Sequence, residues 1–144
     1  VRPFSPRLGC DVGSDDGFER WPIESTGEFF GDDGLGQIDV VQVDLTRCGG
    51  FTEAMKIAAL AWDRGLPVAN HGFTTYVNVT AALHWLNSIP NALICEFVAE
   101  EETNLRESVT RQKLRARDGY LEIPQEPGLG IDLDEEAIAK YRVA

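Results

Sequence analysis

Between Ile38 and Val98 the chain alternates two textures. Short runs of β-branched and other apolar residues, IDVVQV, LPVAN and ALICEFV, are separated by longer segments whose apolar residues recur every three or four positions. The first texture is that of a strand buried on both faces, the second that of an amphipathic helix. IDVVQV stops at Asp44, and Gly49 and Gly50 then supply a turn. Thr52 is placed to N-cap a helix carrying Ala54, Ile57, Ala58, Ala61 and Trp62, and Gly65 stops it. His71 lies just beyond LPVAN. The spacing of Val79, Ala82, Leu83 and Leu86 predicts a second helix from about Thr75 to Asn87, closed by Pro90, before ALICEFV with its Glu96. Strand, helix, strand, helix, strand is the pattern of βαβ crossovers in a parallel sheet, so the fold class expected is α/β.

The flanks read differently. Residues 1–36 are rich in Gly, Pro, Ser and Asp, with WPI as a short apolar piece, and are expected to be a loop-rich N-terminal segment. After a charged stretch, YLEIP is a short strand bounded by Gly119 and Pro124. PGLG is a turn, and Asp134 can cap a final helix reaching about Tyr141.

Length and charge narrow the function. The 144 residues suffice for one domain with a sizeable core. Lys and Arg number 13 against 24 Asp and Glu, a formal charge of -11 that repels phosphate backbones and anionic lipid. Nucleic-acid and membrane partners are therefore not expected. No run approaches the roughly 18 apolar residues of a membrane span, and no signal-peptide core is found. Cysteines 10, 48 and 95 are odd in number and lack C-x-x-C spacing, which fits a reducing, cytoplasmic setting.

In a parallel α/β sheet the C-terminal strand ends converge on one face, where such folds place their sites. Asp44, His71 and Glu96 all lie near such ends. An Asp beside a His fixes the imidazole tautomer through one nitrogen and leaves proton exchange to the other, an acid/base dyad. Alternatives stand beside this: an Asp after a strand also serves as a turn or helix cap, and a His as a satisfied structural residue. Gly49-Gly50 without a G-x-G-x-x-G or P-loop lysine reads as a plain βα turn, and His84, mid-helix beside Trp85, as structural. No covalent nucleophile is assigned to Ser88 or the cysteines.

Three stretches, DVVQVDLTRCGGFTEAMKIAALAWDRGLPVANHGF, NALICEF and DGYLEIPQEPGLGIDLDEEAIAKYRV, together resemble the C-terminal part of the enolase superfamily, in particular its mandelate racemase branch. The resemblance runs from about Ile38 to the C-terminus and implies the C-terminal portion of a (β/α)8 barrel, here a partial one over residues 37–144. It implies Mg2+ held by three carboxylates, a small carboxylate substrate such as an acid sugar, and abstraction of the proton α to the carboxylate. By the same resemblance His71 is the general acid/base, Asp44 orients it, and Glu96 hydrogen-bonds the substrate carboxylate. Glu28, in STGEFF, corresponds to the third metal ligand, although only 16 positions separate it from Asp44. The other two ligands and the family's lysine base lie N-terminal to the matching region and have no counterpart here. A complete barrel needs about 250 residues, so an exposed sheet edge is expected, one that invites aggregation or pairing with another chain, whether in a homo-oligomer or by association through that edge. The activity implied is an acid-sugar dehydratase. A racemase or epimerase, or a truncated non-catalytic relic or subunit, stands as the alternative.

Overall fold

A computed structural model describes residues 7–11, 20–23, 38–72, 74–98 and 107–143, the first two ranges as backbone strands. Six strands form one sheet: β1 (Arg7–Asp11), β2 (Arg20–Ile23), β3 (Val40–Val43), β4 (Val68–Asn70), β5 (Ala92–Glu96) and β6 (Tyr120–Glu122). Their spatial order is β2-β3-β4-β5-β1-β6. All neighbours are parallel except β1 and β6. Helix α1 (Phe51–Asp63) links β3 to β4, and α2 (Tyr76–Ser88) links β4 to β5. A short α3 (Glu135–Lys140) ends the chain. The α/β class and the two βαβ units are those expected.

The core lies between the central strands and the helices. Val40, Val41 and Val43 of β3 and Val68 of β4 are buried, and α1 presents Ala54, Ile57, Ala58 and Ala61. The spacing i, i+3, i+4, i+7 makes that stripe, and its alanines leave little bulk between helix and sheet. From α2 come Tyr76, Val79, Ala82, Leu83, Trp85 and Leu86. Each fully buried Val, Leu or Ile contributes about 1.5–3 kcal/mol. Asn91 closes the seam, its Nδ2 donating to the carbonyls of Ala58 (3.1 Å) and Leu66 (3.2 Å).

One local expectation is refined and two are corrected. Two short strands, β1 and β2, lie within the N-terminal segment expected to be loop-rich. They are five and four residues long, and their backbones pair in register with β5 and β3. Pro22 has no N–H to give a ladder, which suits the position of β2 at the sheet's edge. Helix α1 is capped by Gly50, not Thr52: Gly50 has φ 86°, and its carbonyl accepts from Ala54 N–H at 3.0 Å. Only glycine adopts that conformation without strain. Trp62 is 55% exposed. With Ala61 facing inward, the next residue lies about 100° around the helix.

The tail folds back through specific contacts. Asp118 (φ 52°) and Gly119 (φ 77°) make a two-residue turn closed by reciprocal bonds between Arg117 and Tyr120. Leu121 then buries completely. A Cβ on Gly130 would come within 2.4 Å of Pro124 Cβ, and His84 Nε2 bonds the Leu129 carbonyl at 3.1 Å. His84 thus has the structural role expected of it. Asp134 caps α3, accepting from Ala137 N–H at 2.9 Å. Among the described residues no helix is long and apolar enough to cross a membrane.

Candidate active site at the strand exits

Strands β3 and β4 are paired so that Val43 stands beside Asn70. The residues that follow them, Asp44 and His71, therefore leave the sheet side by side, and His71 N–H donates to the Val43 carbonyl at 2.8 Å. The side chains meet: His71 Nδ1 lies 3.1 Å from Asp44 Oδ2. His71 is 20% exposed and Asp44 3%. The pair has one member in the protein and one at its surface.

Asp44 is held from both sides. Its Oδ1 accepts from Thr46 N–H at 2.8 Å, Thr46 Oγ1 at 2.6 Å and Asn78 Nδ2 at 3.4 Å. Its Oδ2 faces His71, with Arg47 Nε at 3.7 Å. Burial raises the energy of the charged carboxylate, but the Thr46 hydroxyl and amide together with His71 outweigh it, so the Asp44 pKa lies below the ordinary aspartate value. An anion stands against one ring nitrogen, an arrangement that favours the tautomer with its proton on Nδ1.

Glu96 ends β5. Its Oε2 accepts from Gly72 N–H at 3.0 Å, so it is tied to the residue following His71. A Cβ on Gly72 would stand 2.8 Å from Asn78 Nδ2, and glycine is what lets the loop pass between Glu96 and Asn78. Next to Glu96, Phe97 stacks on Tyr76 with ring centroids 6.4 Å apart. The Tyr76 hydroxyl donates to Glu107 at 3.1 Å and accepts from Arg115 at 3.0 Å. That network joins residues 107–115 to the start of α2. Burial, then the Glu107 charge, pushes the Tyr76 phenol up, so it acts as a neutral strut.

Asp44, His71 and Glu96, picked out by their places after apolar runs, are thus brought together. Glu28 lies outside the described residues. A cleft of about 510 Å3 farther along the chain, between Lys113, Arg115, Tyr120 and Gln125, contains none of the three. Cys48 is buried, and burial pushes its thiol up, consistent with no nucleophilic role. Thr46, Asn70 and Asn78 were not singled out from the sequence. Available signals were weak: Asp-x-Thr is a turn pattern that stabilises a carboxylate, and Asn70 and Asn78 interrupt apolar surfaces.

Residues 34–137 match a model of the enolase C-terminal domain-like family, and the chain belongs to that family. Its sheet and helices are a portion of the α/β barrel of that family. D-galactarolactone cycloisomerase of Agrobacterium fabrum is 35% identical over 116 residues, 75% of this chain and 30% of the relative. D-xylonate dehydratase of Haloferax volcanii is 34% identical over 106 residues, 74% and 26% of the two chains. The solved mandelate racemase/muconate lactonizing enzyme from Sulfitobacter sp. superposes with a TM-score of 0.72 at 31% identity, covering 85% of this chain and 30% of that one. The chain therefore spans less than a third of the length of these relatives.

Superfamily members generally use Mg2+. Among the described residues no three of His, Cys, Asp or Glu converge as a metal-binding group. Asp44 already uses both oxygens on protein donors and His71. The described residues do not fit a magnesium centre.

Proposed function

We propose that this chain supplies the acid/base side of an acid-sugar dehydratase. The reading rests on one observation, the Asp44–His71 contact at 3.1 Å, with the second Asp44 oxygen engaged by Thr46 and Asn78. In this reading the substrate is a small carboxylate. Its α-proton passes to a base, the C–H electron pair moves into the carboxylate to give an enediolate, and the bond to the β-hydroxyl then breaks as an acid protonates the leaving oxygen; His71 fills one of these roles and a group supplied by the rest of the catalytic unit the other. His71 Nε2 delivers the proton that lets the hydroxyl leave as water, or takes the α-proton in a substrate of the opposite configuration. Asp44 keeps the ring in the tautomer that can do so and stabilises the imidazolium. Glu96, when it carries a proton, donates a hydrogen bond to the substrate carboxylate. The product tautomerises to a 2-keto-3-deoxy acid.

Glu28 is assigned as a metal ligand by family likeness alone, and no step is drawn through Mg2+. The relatives' names support the substrate class: a xylonate dehydratase and a galactarolactone cycloisomerase both take sugar-acid skeletons. Because the chain covers 26–30% of those relatives, the proposal assigns it a share of a larger catalytic unit, with edge strand β2 the place where further strands join.

The test is formation of 2-keto acid from a panel of acid sugars by the complete catalytic unit, with and without His71→Ala. General acid/base catalysis contributes about 10²–10⁴-fold. A fall of that size in kcat, with the fold intact by circular dichroism, is expected. Turnover unchanged by His71→Ala would remove the dyad from the mechanism.

A further inference from the structure

We propose that Asn70 is a positioning residue that couples the His71 exit of β4 to Glu96, by replacing a backbone pair of the sheet with its own carboxamide. Its functional meaning rests on the reading of Glu96 above. The coupling itself is a property of the fold and is tested separately.

The ladder between β4 and β5 pairs Val68 with Ala92 and then Ala69 with Ile94, an irregularity that gives β5 one extra residue. Beyond it the side chain of Asn70, fully buried, continues the pairing. Its Oδ1 accepts from Glu96 N–H at 2.8 Å, and its Nδ2 donates to the Glu96 carbonyl at 3.2 Å. One carboxamide thus satisfies both backbone groups of a single residue on the neighbouring strand. A carboxamide has a donor and an acceptor in one plane and is suited to this. An apolar residue, the usual choice in a buried strand, has neither.

Two further contacts make the clasp directional. The Asn70 backbone is held by β3, through its pairing with Val43 and a bond from Gln42 Nε2 to its carbonyl at 3.4 Å. Two residues on, Gly72 N–H donates to the Glu96 carboxylate at 3.0 Å. The backbone of Glu96 is therefore fixed by the residue before His71, and its side chain by the residue after it. A change in the height of β4 would carry His71 and Glu96 together, keeping proton-exchanging and carboxylate-binding groups in one spacing.

Amide hydrogen exchange of the full chain, with Asn70→Ala and Asn70→Asp, tests this. Asn70→Ala is expected to expose Glu96 N–H directly. The decisive probe is Gly72 N–H, which among the described residues donates to the Glu96 carboxylate and is predicted to exchange at least about tenfold faster in both variants. Val41 and Val68 N–H, bonded to Pro67 and Asn91 carbonyls at 3.0 and 2.8 Å, should keep wild-type protection. Asn70→Asp keeps an acceptor for Glu96 N–H, so there the Glu96 amide should stay protected while Gly72 is released. Unchanged Gly72 protection in both variants would overturn the coupling. So would an equal loss at Gly72, Val41 and Val68, which would make Asn70 a residue of general stability. In the complete catalytic unit, release of Gly72 with normal kcat and KM would leave the coupling standing and instead refute the role given to Glu96.

Discussion

Replacing Thr46 by Val removes one hydrogen bond and almost nothing else. The two side chains are nearly isosteric, Thr46 is exposed, and its backbone N–H continues to serve Asp44 Oδ1 at 2.8 Å. What is lost is the 2.6 Å bond from Oγ1. Hydrogen bonds to a charged group contribute about 1.5–3 kcal/mol; the exposed donor regains water when the bond is broken, so the lower end, about 1.5 kcal/mol, applies. The loss falls on the ionised form of Asp44, whose pKa in the native protein is depressed. A depressed carboxyl contributes stability that is fully present above its unfolded value of about 3.9 and disappears as pH falls through the lower folded value. Thr46→Val moves the folded value upward, so the variant loses this contribution at a higher pH than the wild type. Urea unfolding should show a gap of about 1.5 kcal/mol at pH 7 that narrows on acidification, while the Asp44 carboxyl carbon titrates at higher pH by NMR. A gap independent of pH, or an unmoved Asp44 titration, would refute the claim that Thr46 holds Asp44 ionised.

Other perturbations probe the neighbouring contacts. Gly72→Ala places a methyl 2.8 Å from Asn78 Nδ2, and relief of that overlap should cost about 1–3 kcal/mol in urea unfolding; a variant as stable as the wild type would show that the loop has room to spare. Because Asp44 uses both oxygens within the protein, millimolar Mg2+ added to this chain should leave the Asp44 carboxyl resonance in place, and a saturable shift would show that the carboxylate can be drawn to a metal.

Much of the fold was legible because its elements carry their own signal. The run VVQV is buried at all four positions, and a β-branched run with a single polar residue has few other places to go. Helix α1 announced itself by Ala54, Ile57, Ala58 and Ala61, and Asp134 by its place before EEAIAK. Strands β1 and β2 carry no such signal. Four or five residues that include a Gly or a Pro become strand when β5 and β3 offer them a ladder, which is a tertiary effect invisible in a local window. Trp62 looked like core because it adjoins the stripe, yet a helix turns it away.

The site divided along the same line. Asp44 and His71 were conspicuous as charged or titratable residues immediately after buried runs. Their supports were not, because Thr46 reads as a turn residue and Asn70 and Asn78 as isolated polar positions. What gives these three their roles is proximity across 26 to 34 positions of sequence for the asparagines, together with the burial of the carboxylate they serve. Asn70 is the clearest case: its side chain behaves as a piece of backbone, and no residue pattern announces that.

The most direct measurement is the ¹⁵N spectrum of the His71 ring in the neutral state, for the wild type and Asp44→Asn. The expected result is the tautomer with its proton on Nδ1 in the wild type and a shift of population toward Nε2–H in Asp44→Asn. An Nε2–H ring in the wild type, or a ring indifferent to the loss of the Asp44 charge, would contradict the dyad on which the proposed function rests.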